Sequence, residues 1–356
     1  MHRTASQAIN HFLSFFLIVV SAFLGSCTQS ARQYDYSILA FGTLIDITLY
    51  GVEKKQAENA FEILQQDFDR YHQEWSPWTN GDLAQLNEKL QQGIDVPVPG
   101  HLVPLIRESM VLSQQSNNYY NPAIGKLINL WQFHKYQDEN IRPPDSRQIQ
   151  ALINSNPRLT DLHINQQNIL HTDNQEVSLN FGAFAKGYAI TLSIQRLQTL
   201  NIHNAVINAG GDLSVIGQHG DRPWNIGIRD PRQNSILASV EVQNNESVFT
   251  SGDYERFYIY QGKRYHHILD PRTGYPTQDA QSVTVIHQNA GRADAAATAL
   301  FVAGSKDWQD IARNMGIQLV MLIDAEGNIQ MTPAMEKRIK FLNKSPASHI
   351  ILSEEL

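Results

Sequence analysis

The sequence predicts an α+β protein in which mixed, largely antiparallel sheets pack against helices. Two observations carry this prediction. Amphipathic helical patterns fill most of residues 54–116, where apolar residues recur every three or four positions. Pairs of strand patterns joined by short turns recur later, as in residues 204–217 and 317–331, and such pairs are typical of antiparallel sheets.

Composition limits the classes of function. The chain has 356 residues, which is enough for one large or two ordinary domains with a real core. Its 42% hydrophobic and 18% charged residues exclude a disordered or fibrous protein. The net charge of −7 argues against nucleic acid as a partner, because an acidic protein lacks the positive surface that phosphate backbones require.

The amino terminus has the features of an export signal. A short basic start is followed by an apolar run over residues 12–24 and then by Gly25, Ser26 and Cys27. The run is shorter than the roughly 20 residues that a permanent membrane span needs. Residues 24–27 resemble the bacterial lipobox, so we expect a signal peptide over residues 1–26 and a lipid on Cys27. The alternative is an uncleaved signal anchor with an incidental cysteine.

Cys27 is the only cysteine in the chain, which favours lipidation. It cannot form an internal disulfide, and a lipid would remove an otherwise exposed thiol. The lipidated cysteine and a polar tether are predicted over residues 27–35, so that a lipid anchor replaces a transmembrane span. Residues 341–356 are predicted to form a loose tail.

The first elements follow from hydrophobic periodicity. A strand is predicted over residues 39–50, where apolar and polar residues alternate, and an amphipathic helix over residues 54–71. Helical patterns also cover residues 83–90 and 101–116. The segment Trp75-Ser76-Pro77-Trp78 breaks the pattern and is interpreted as a packed loop, because paired tryptophans beside a proline mostly serve packing.

The middle of the chain is less regular. A turn is predicted at residues 117–122, and residues 135–146 form a polar surface excursion. A short helix is expected over residues 148–154. Two short strands are expected over residues 162–165 and 168–171.

Residues 177–190 combine a strand, a glycine and a helix start. The strand ends near Asn180, and a helix that carries Lys186 begins after Gly182 and Ala183. Backbone N–H groups and the helix dipole at such a start can hold an anion, with Lys186 as a mobile positive charge. A helix start that only packs tightly fits this segment as well.

Strand patterns continue from residue 204 to residue 286, with Gly210 and Gly211 in the first turn. His266 and His267 lie where a strand ends beside an Asp-Pro turn, which is a common position for a general base. Two partly exposed histidines on an ordinary hairpin would show the same pattern.

The helix around residues 292–300 carries Asp294 and Thr298 four positions apart. Residues at this spacing share one helix face, so the two side chains can direct two oxygens at a hard cation such as Mg²⁺ or Ca²⁺. The alanines between them keep the helix narrow, which lets another backbone approach. Taken alone, a solvated aspartate and an ordinary threonine are the simpler interpretation.

Eight motifs in order resemble those of one family. They are the export signal ending in Cys27, Phe41-Gly42-Thr43, Tyr119-Tyr120-Asn121-Pro122, NFGAFAKGYAI (180–190), NAGGD (208–212), TSGDYERF (250–257), YHHILDPRTGYP (265–276) and ADAAATAL (293–300). In this order they resemble the FAD:protein FMN transferases, the ApbE family of periplasmic lipoproteins, over roughly residues 36–335.

The resemblance implies a fold and an activity. The fold would be an ApbE-like architecture related to the T-fold, with the transferase domain over residues 36–340. Such an enzyme binds FAD with Mg²⁺, transfers FMN to a threonine hydroxyl of a membrane redox protein and releases AMP. The implied acceptors are subunits of a sodium-translocating quinone reductase or a related electron-transport complex. The enzyme would lie on the periplasmic side of a bacterial membrane.

The resemblance also implies roles for individual residues. Asp294, Thr298 and the backbone carbonyl of Ala183 would hold Mg²⁺. His267 would be the general base, for which an ordinary histidine pKa of about 6.5 is suitable, and Lys186 would lie near the flavin or its phosphates. The implied flavin contacts are Phe41, Trp78, Tyr119, Tyr120, Asn121, Asn180 and Ile268.

Four positions depart from the family pattern. Phe41 replaces a methionine, Asn121 and Asn180 replace aspartates, and Thr191 occupies a position that often carries an aspartate. An amide still forms hydrogen bonds but carries no charge, so flavin affinity or metal dependence can differ. Because the implied metal ligands, lysine and base are all present, we expect the activity to survive.

Two other functions fit the same sequence. An FAD pyrophosphatase would use water in place of the threonine and would yield FMN and AMP. A non-catalytic lipoprotein that binds or stores FAD is the other alternative, and the two amide replacements favour it.

Overall fold

The structure is a computed structural model that describes residues 32–135, 137–342 and 349–356. The predicted signal peptide over residues 1–26 and the predicted lipidation site Cys27 lie outside the described residues. Within the described ranges, no helix is both long enough and apolar enough to cross a membrane.

Helices and strands follow one another in mixed order. Within the described residues the helices are α1 (Lys54–Glu74), α2 (Asp82–Gln91), α3 (Leu102–Gln115), α4 (Gly125–Trp131), α5 (Ser146–Ser155), α6 (Ala185–Thr199), α7 (Ala290–Asn314) and α8 (Pro333–Glu336). The strands there are β1 (Gln33–Ala40), β2 (Thr43–Tyr50), β3 (Val96–Pro97), β4 (Leu162–Ile164), β5 (Ile169–Thr172), β6 (Ala205–Ala209), β7 (Asp212–Ile216), β8 (Trp224–Arg229), β9 (Ile236–Val242), β10 (Ser247–Gly252), β11 (Phe257–Tyr260), β12 (Lys263–His266), β13 (Ala280–His287), β14 (Leu319–Asp324), β15 (Ile329–Met331), β16 (Ile339–Phe341) and β17 (Ile350–Leu352).

Nine of the described strands form the main sheet, in the order β1-β2-β6-β7-β10-β13-β14-β15-β17. Neighbouring strands are antiparallel except for β15 and β17, which run parallel. The other described strands form three smaller sheets. One pairs β11 with β12, one has the strand order β3-β5-β4, and one has the strand order β16-β9-β8. The predicted α+β class with largely antiparallel sheets is confirmed.

The centre of the main sheet is covered on both faces, and all of β7 and nearly all of β13 are therefore buried. Helices α6 and α7 pack on one face, where Leu300 of α7 belongs to the same apolar core as Val283 of β13. The small β16-β9-β8 sheet packs on the other face, where Trp224 and Val240 join Val215 in a second apolar cluster. Strand β8 is an edge of this small sheet.

The first predicted strand is wrong in one respect, because two strands replace it. Residues 33–50 form a hairpin, and its turn is Phe41-Gly42. Both turn residues have positive φ, 53° for Phe41 and 74° for Gly42. Positive φ at both central positions is the geometry that matches the twist of a two-residue hairpin. Phe41 hides this turn in the sequence because a bulky side chain seldom adopts that conformation.

The predicted strand before Asn180 is replaced by a short extended pairing. Ser178 bridges Ile124 in parallel. The N–H of Asn180 donates to the carbonyl of Pro122 at 2.8 Å, and the N–H of Gly125 donates to the carbonyl of Ser178 at 2.7 Å. This pairing brings the turn after α3 against the loop that leads into α6.

Two described segments near the ends of the chain form strands that the sequence does not predict. Residues 33–35, assigned to the tether, form the start of β1. Residues 350–352, assigned to the loose tail, form β17 and pair with β15. Helix α4 is a further element for which no helix was predicted.

Candidate active site

Loops at one end of the helices and the main sheet surround a cleft that encloses about 1220 Å³, part of it open to solvent. Nearly all of the residues that the sequence singled out line this cleft. They are Trp78, Tyr119, Tyr120, Asn121, Asn180, Ala183, Lys186, His267, Ile268, Asp294 and Thr298. Phe41 lines a neighbouring cavity instead.

Asp294 lies in the first turns of α7, where α6 crosses very closely. A Cβ on Gly187 would lie 2.3 Å from the carbonyl oxygen of Ala290 and 2.8 Å from the Cβ of Asp294. The missing side chain at Gly187 lets its N–H donate to Oδ2 of Asp294 at 2.9 Å. The narrow, alanine-rich helix therefore admits another backbone, as the sequence predicted.

The carboxylate of Asp294 is buried, with 6% of the residue exposed. Burial raises its pKa above the ordinary value, and the positive charge of Lys186 and the Gly187 N–H oppose this effect. Among the described residues no cationic side chain forms an ion pair with it. A buried carboxylate in this state favours a cation beside it.

The oxygen donors around Asp294 fit a hard cation. Thr298 lies one helical turn further on, also lines the cleft, and shares a 3.2 Å hydrogen bond with the hydroxyl of Ser251. Ala183 also lines the cleft. Within the described residues no cluster of three or more His, Cys, Asp or Glu side chains is present. A cation here would depend on one carboxylate supported by neutral oxygens, a donor set that Mg²⁺ accepts.

Lys186 lies in the first turn of α6 and forms an ion pair with Asp212. The carboxylate of Asp212 is buried, and its other oxygen accepts the N–H of Thr250 at 2.7 Å. Asp212 therefore orients the ammonium group of Lys186 at the cleft wall. Lys186 is therefore not directed freely into solvent, and only 20% of its side chain is exposed.

The two adjacent histidines have different environments. Nε2 of His266 donates to the carbonyl of Thr277 at 2.6 Å, so this buried ring is fixed by the loop that it supports. His267 lines the cleft, and its Nδ1 is buried without a hydrogen-bond partner. Burial, and then the positive charge of Arg256, lower the pKa of His267 to about 3. The ring is therefore neutral near pH 7, and in this environment it is a weaker base than the expected pKa of about 6.5 implies.

The two amides that replace aspartates support the loops around the cleft. Oδ1 of Asn121 accepts the N–H of Ala123 at 3.0 Å, and Nδ2 donates to the carbonyl of Pro157 at 2.9 Å. Oδ1 of Asn180 accepts the N–H of Gly182 at 2.9 Å, and its Nδ2 is buried without a partner. An aspartate at position 121 could not donate to Pro157, so the amide suits this loop.

Aromatic side chains form the more apolar end of the cleft. Trp78 is 50% exposed at the mouth and donates from Nε1 to Asn129 at 2.7 Å, whereas Trp75 is buried on Tyr71 with ring centroids 4.3 Å apart. The packed-loop interpretation is therefore right for Trp75 and wrong for Trp78. Tyr120 is buried, and its hydroxyl lies 3.1 Å from that of Ser109.

Tyr119 is held at the mouth by charged partners. Its hydroxyl contacts Asp307 and accepts from Arg272 at 2.7 Å. The guanidinium of Arg272 also lies 4.2 Å from the centre of the Tyr119 ring. Asp270 binds Arg272 through two hydrogen bonds of 2.8 and 2.9 Å, so the Asp-Pro turn that follows the histidines fixes an aromatic wall of the cleft.

Sequence reasoning missed several polar residues on the cleft wall, among them Asp212, Ser251, Glu255 and Arg256. Each lies inside NAGGD or TSGDYERF, two motifs that carry the family resemblance but that by themselves assign no role to these side chains. Glu255 faces the open cleft. Desolvation by the surrounding protein raises the pKa of its carboxyl group, and the positive charges of Lys186 and Arg256 oppose this shift. Nothing local in the sequence indicates that Asp212 would pair with Lys186, 26 residues earlier.

The sequence pattern of the ApbE family matches residues 41–321. The chain belongs to the ApbE family. The match includes every cleft residue that the sequence singled out, and Phe41 is its first residue. The resemblance inferred from the ordered motifs is confirmed.

Curated ApbE relatives agree with this assignment. A "FAD:protein FMN transferase" of Rhodobacter capsulatus is 36% identical over 317 residues, which cover 88% of this chain and 60% of that protein. The chain thus spans about three fifths of the length of this relative. A protein of the same name from Treponema pallidum is 29% identical and covers 92% of this chain and 95% of its own length. These names confirm the predicted enzyme class, a transferase.

Solved ApbE structures share the fold. The ApbE protein of Thermotoga maritima superposes with a TM-score of 0.79 at 29% identity, covering 86% of this chain and 99% of that one. The flavinyl transferase ApbE of Pseudomonas stutzeri, in its apo form, gives a TM-score of 0.75 at 26% identity and covers 86% and 97% of the two chains. The predicted ApbE-like architecture is therefore confirmed.

Proposed function

We propose that this enzyme transfers the FMN half of FAD to a threonine hydroxyl of an acceptor protein and releases AMP. One observation carries the proposal: a single cleft joins an aromatic end to a charged end that contains Lys186, Asp294 and a neutral His267. FAD has the same division, because an apolar flavin ring is linked to a charged pyrophosphate. The names of the ApbE relatives point to the same substrate.

The aromatic end suits the flavin ring, and the start of α6 suits the pyrophosphate. Tyr119 and Ile268 offer flat and apolar surface. At the other end Lys186 supplies positive charge, and the helix dipole of α6 favours an anion near its first turn.

The chemistry is a displacement at the phosphorus of the FMN half. The threonine oxygen forms a new bond to this phosphorus, the bond from phosphorus to the bridging oxygen breaks, and AMP leaves with that oxygen and its electron pair. The threonine proton passes to the neutral ring of His267. Bound pyrophosphate adds negative charge near the ring, which raises the histidine pKa toward the range in which it is an effective base.

A magnesium ion is part of the proposal. The residues that would hold it are Asp294, Thr298 and the backbone carbonyl of Ala183, because all three residues line the same cleft and each offers an oxygen. When bound, Mg²⁺ would neutralise charge on the pyrophosphate. Lys186, oriented by Asp212, would act on the same charge from the neighbouring helix turn.

We also propose that the enzyme works at a membrane. The sequence of residues 1–27 supports export and a lipid on Cys27, which would hold the domain on the periplasmic side of a bacterial membrane. The acceptor would then be a membrane redox protein, such as a subunit of a sodium-translocating quinone reductase or a related electron-transport complex. An anchored enzyme would meet such an acceptor in the plane of the membrane.

The test follows three products in one assay, namely flavin-labelled acceptor, AMP and free FMN. The enzyme is incubated with FAD, Mg²⁺ and co-expressed candidate acceptors, and then in-gel flavin fluorescence of the acceptor and AMP in solution are measured. Labelled acceptor together with AMP is the expected result, and replacing the acceptor threonine by valine should abolish the label. Free FMN and AMP without label would indicate a pyrophosphatase, whereas bound and intact FAD would indicate a storage protein.

A further inference from the structure

The proposed base His267 lacks the side-chain partner that usually orients a catalytic histidine. In many such sites a third group binds the second ring nitrogen and thereby fixes the ring. Here Nδ1 of His267 is buried and has no hydrogen-bond partner in the part of the chain that the structure describes. The orientation of this ring therefore depends on the main chain that carries it.

Both peptide groups that flank the His267 ring are held by hydrogen bonds. The N–H of His267 donates to the carbonyl of Arg256 at 3.0 Å. The next N–H, that of Ile268, donates to Nδ1 of His266 at 3.3 Å. The first bond joins two backbone groups and does not depend on a side chain. The second depends on the imidazole of His266, so a substitution at position 266 removes half of the support.

Three residues form a closed cycle of hydrogen bonds next to His267. Nε2 of His266 donates to the carbonyl of Thr277 at 2.6 Å, and the N–H of Thr277 donates to the carbonyl of Ile268 at 3.2 Å. The N–H of Ile268 completes the cycle at the His266 ring. Hydrogen bonds in such a network reinforce one another, because each bond polarises the next. The cycle thus ties the two ends of the loop over residues 266–277 together beside the proposed base.

The cycle requires one form of the His266 ring. A neutral histidine donates from one ring nitrogen and accepts at the other. Only the form with hydrogen on Nε2 can donate to Thr277 and accept from Ile268 at the same time. The residue is 4% exposed, and its ring packs at 85° to that of Phe301 on α7, with centroids 5.6 Å apart. Burial lowers the pKa of His266, which keeps the ring neutral near pH 7.

We propose that His266 is a positioning residue that holds His267 in the orientation needed to take the threonine proton. This inference rests on the proposed transferase function, in which His267 is the general base. His266 does not line the cleft, so it would act on the reaction through its neighbour. A reacting group that is misplaced by about 1 Å can lose about 10²-fold in rate, so the loss of this support is measurable.

The first test compares two amides at position 266. His266→Asn keeps an acceptor near the position of Nδ1, and asparagine readily accepts the N–H two residues further on. His266→Gln keeps a donor near the position of Nε2 but leaves the N–H of Ile268 without its acceptor. In single-turnover labelling of the acceptor at saturating FAD, we expect His266→Gln to be slower than the wild type by about 10²-fold and His266→Asn by at most about tenfold.

His287→Gln is the matched control. Nδ1 of His287 also accepts the N–H two residues further on, that of Asn289, at 2.9 Å. His287 lines neither the cleft nor the neighbouring cavity. Loss of the same kind of bond here should leave labelling within about twofold of the wild type, because the reacting groups keep their positions. Urea unfolding shows whether each variant is folded under the assay conditions.

The second test repeats His266→Gln in a protein that carries His267→Ala. If His266 acts through His267, the group that it positions is already absent, so His266→Gln should slow this protein by no more than about twofold further. A general packing role would lower the rate by the same factor in both backgrounds and would contradict the proposal.

Nitrogen NMR of the histidine side chains gives a third readout, which does not depend on activity. The signals of His266 are those that disappear in His266→Gln. They should show hydrogen on Nε2 and none on Nδ1 near pH 7. Hydrogen on Nδ1 would break the cycle and overturn the inference.

The outcomes separate this inference from the proposed function. Equal labelling rates for the wild type and His266→Gln would refute the positioning role while the transferase function stands. Weaker FAD binding by His266→Gln, with an unchanged rate at saturation, would show instead that His266 supports the flavin contact Ile268. A wild-type enzyme that yields no label would overturn the proposed function and this inference with it.

Discussion

Asp294 combines burial, negative charge and the absence of an ion-pair partner among the described residues. Desolvation makes such a carboxylate costly, and removing it from the apo protein should carry little penalty. The presence of this costly buried charge is explained if the carboxylate acts when substrate and cation bind. Three of its neighbours, Gly187, Thr298 and Lys186, all fit that use.

Asp294→Asn tests the cation site at constant shape. The amide oxygen can still accept the Gly187 N–H, so the apo protein should be at least as stable as the wild type. We expect the Mg²⁺-dependent rise in Tm to disappear and turnover of FAD to fall by roughly 10²-fold or more, because the charged ligand is lost. Thermal unfolding with and without Mg²⁺ and AMP release measure the two effects. Asp310→Asn, an exposed change in the same helix, is the control, and an unchanged Mg²⁺ response in Asp294→Asn would refute the site.

His267 should contribute to acid lability. Burial lowers its pKa to about 3, whereas the unfolded chain has the ordinary value of about 6.5. Between these values the unfolded chain binds a proton that the folded protein does not, so stability falls as the pH falls from about 6.5 toward 3. We expect His267→Asn to lose less unfolding free energy than the wild type between pH 7 and pH 5, measured with urea. The exposed His203→Asn should behave like the wild type, and identical slopes for all three proteins would contradict the shift.

His267 should also control the rate of transfer. His267→Ala is expected to slow labelling of the acceptor by about 10²- to 10⁴-fold, the usual contribution of a general base. The Kd for FAD should change little, because the aromatic wall and Lys186 are untouched. Single-turnover labelling and FAD titration measure these quantities. A collapse of FAD binding would show instead that the ring holds the flavin.

At the scale of elements, the crossing of α6 and α7 positions the charged end of the cleft. The contact brings Lys186 and Asp294 into one wall although they are far apart in the chain. The sequence predicted both helices and the narrow surface of α7, because the small side chains of the alanines between Asp294 and Thr298 leave room for another backbone. It could not predict that the backbone of α6 at Gly187 would pack against that surface.

Gly187→Ala tests the crossing. Alanine favours a helix interior by about 1 kcal/mol over glycine, but its Cβ would meet the backbone oxygen of Ala290 at 2.3 Å. Backbone cannot yield as a side chain does, so overpacking costing about 1–3 kcal/mol should exceed the gain in propensity. Urea unfolding should show net destabilisation, together with weaker Mg²⁺ binding. Gln195→Ala on the exposed side of α6 is the control, and a more stable Gly187→Ala would contradict the close packing.

Elements whose signals are local were predicted best. Helices α1 and α6 begin close to their predicted positions because their patterns and turns are self-contained. The β1–β2 turn was missed because a phenylalanine occupies a positive-φ position. The short pairing of residues 122–125 with 178–180 was also missed, since its two strands lie more than 50 residues apart.

At the scale of the whole molecule, the cleft is assembled from distant segments. The hydroxyl of Tyr119 contacts the carboxylate of Asp307, which lies 188 residues later in the chain. The side-chain amide of Asn87 donates to the carbonyl of Leu179, which lies 92 residues later. Ordered motifs in one sequence identified eleven of the cleft residues through the family resemblance. The partners of these residues depend on tertiary contacts, which one sequence does not specify, and so the Lys186–Asp212 and Tyr119–Arg272 pairs were not foreseen.

Export and anchoring belong to this scale as well. Cys27→Ser should release the protein from the membrane fraction, because a single hydroxyl cannot carry the thioether-linked lipid on which we propose that anchoring depends. The transferase domain should keep its fold, since residues 33–356 contain the described strands and helices. Fractionation and incorporation of labelled palmitate measure the change. Membrane retention of Cys27→Ser would favour an uncleaved signal anchor.

The free edge of β8 has one more consequence, which concerns contacts between copies of this protein. An exposed strand edge invites pairing between copies, and long, flat edges promote aggregation. Here the edge is short, and the cavity beside it is also lined by two glycine-containing turns and by charged side chains. Such a recess is ill-suited to the edge of a folded sheet. The same geometry would then protect the protein from pairing with its own copies.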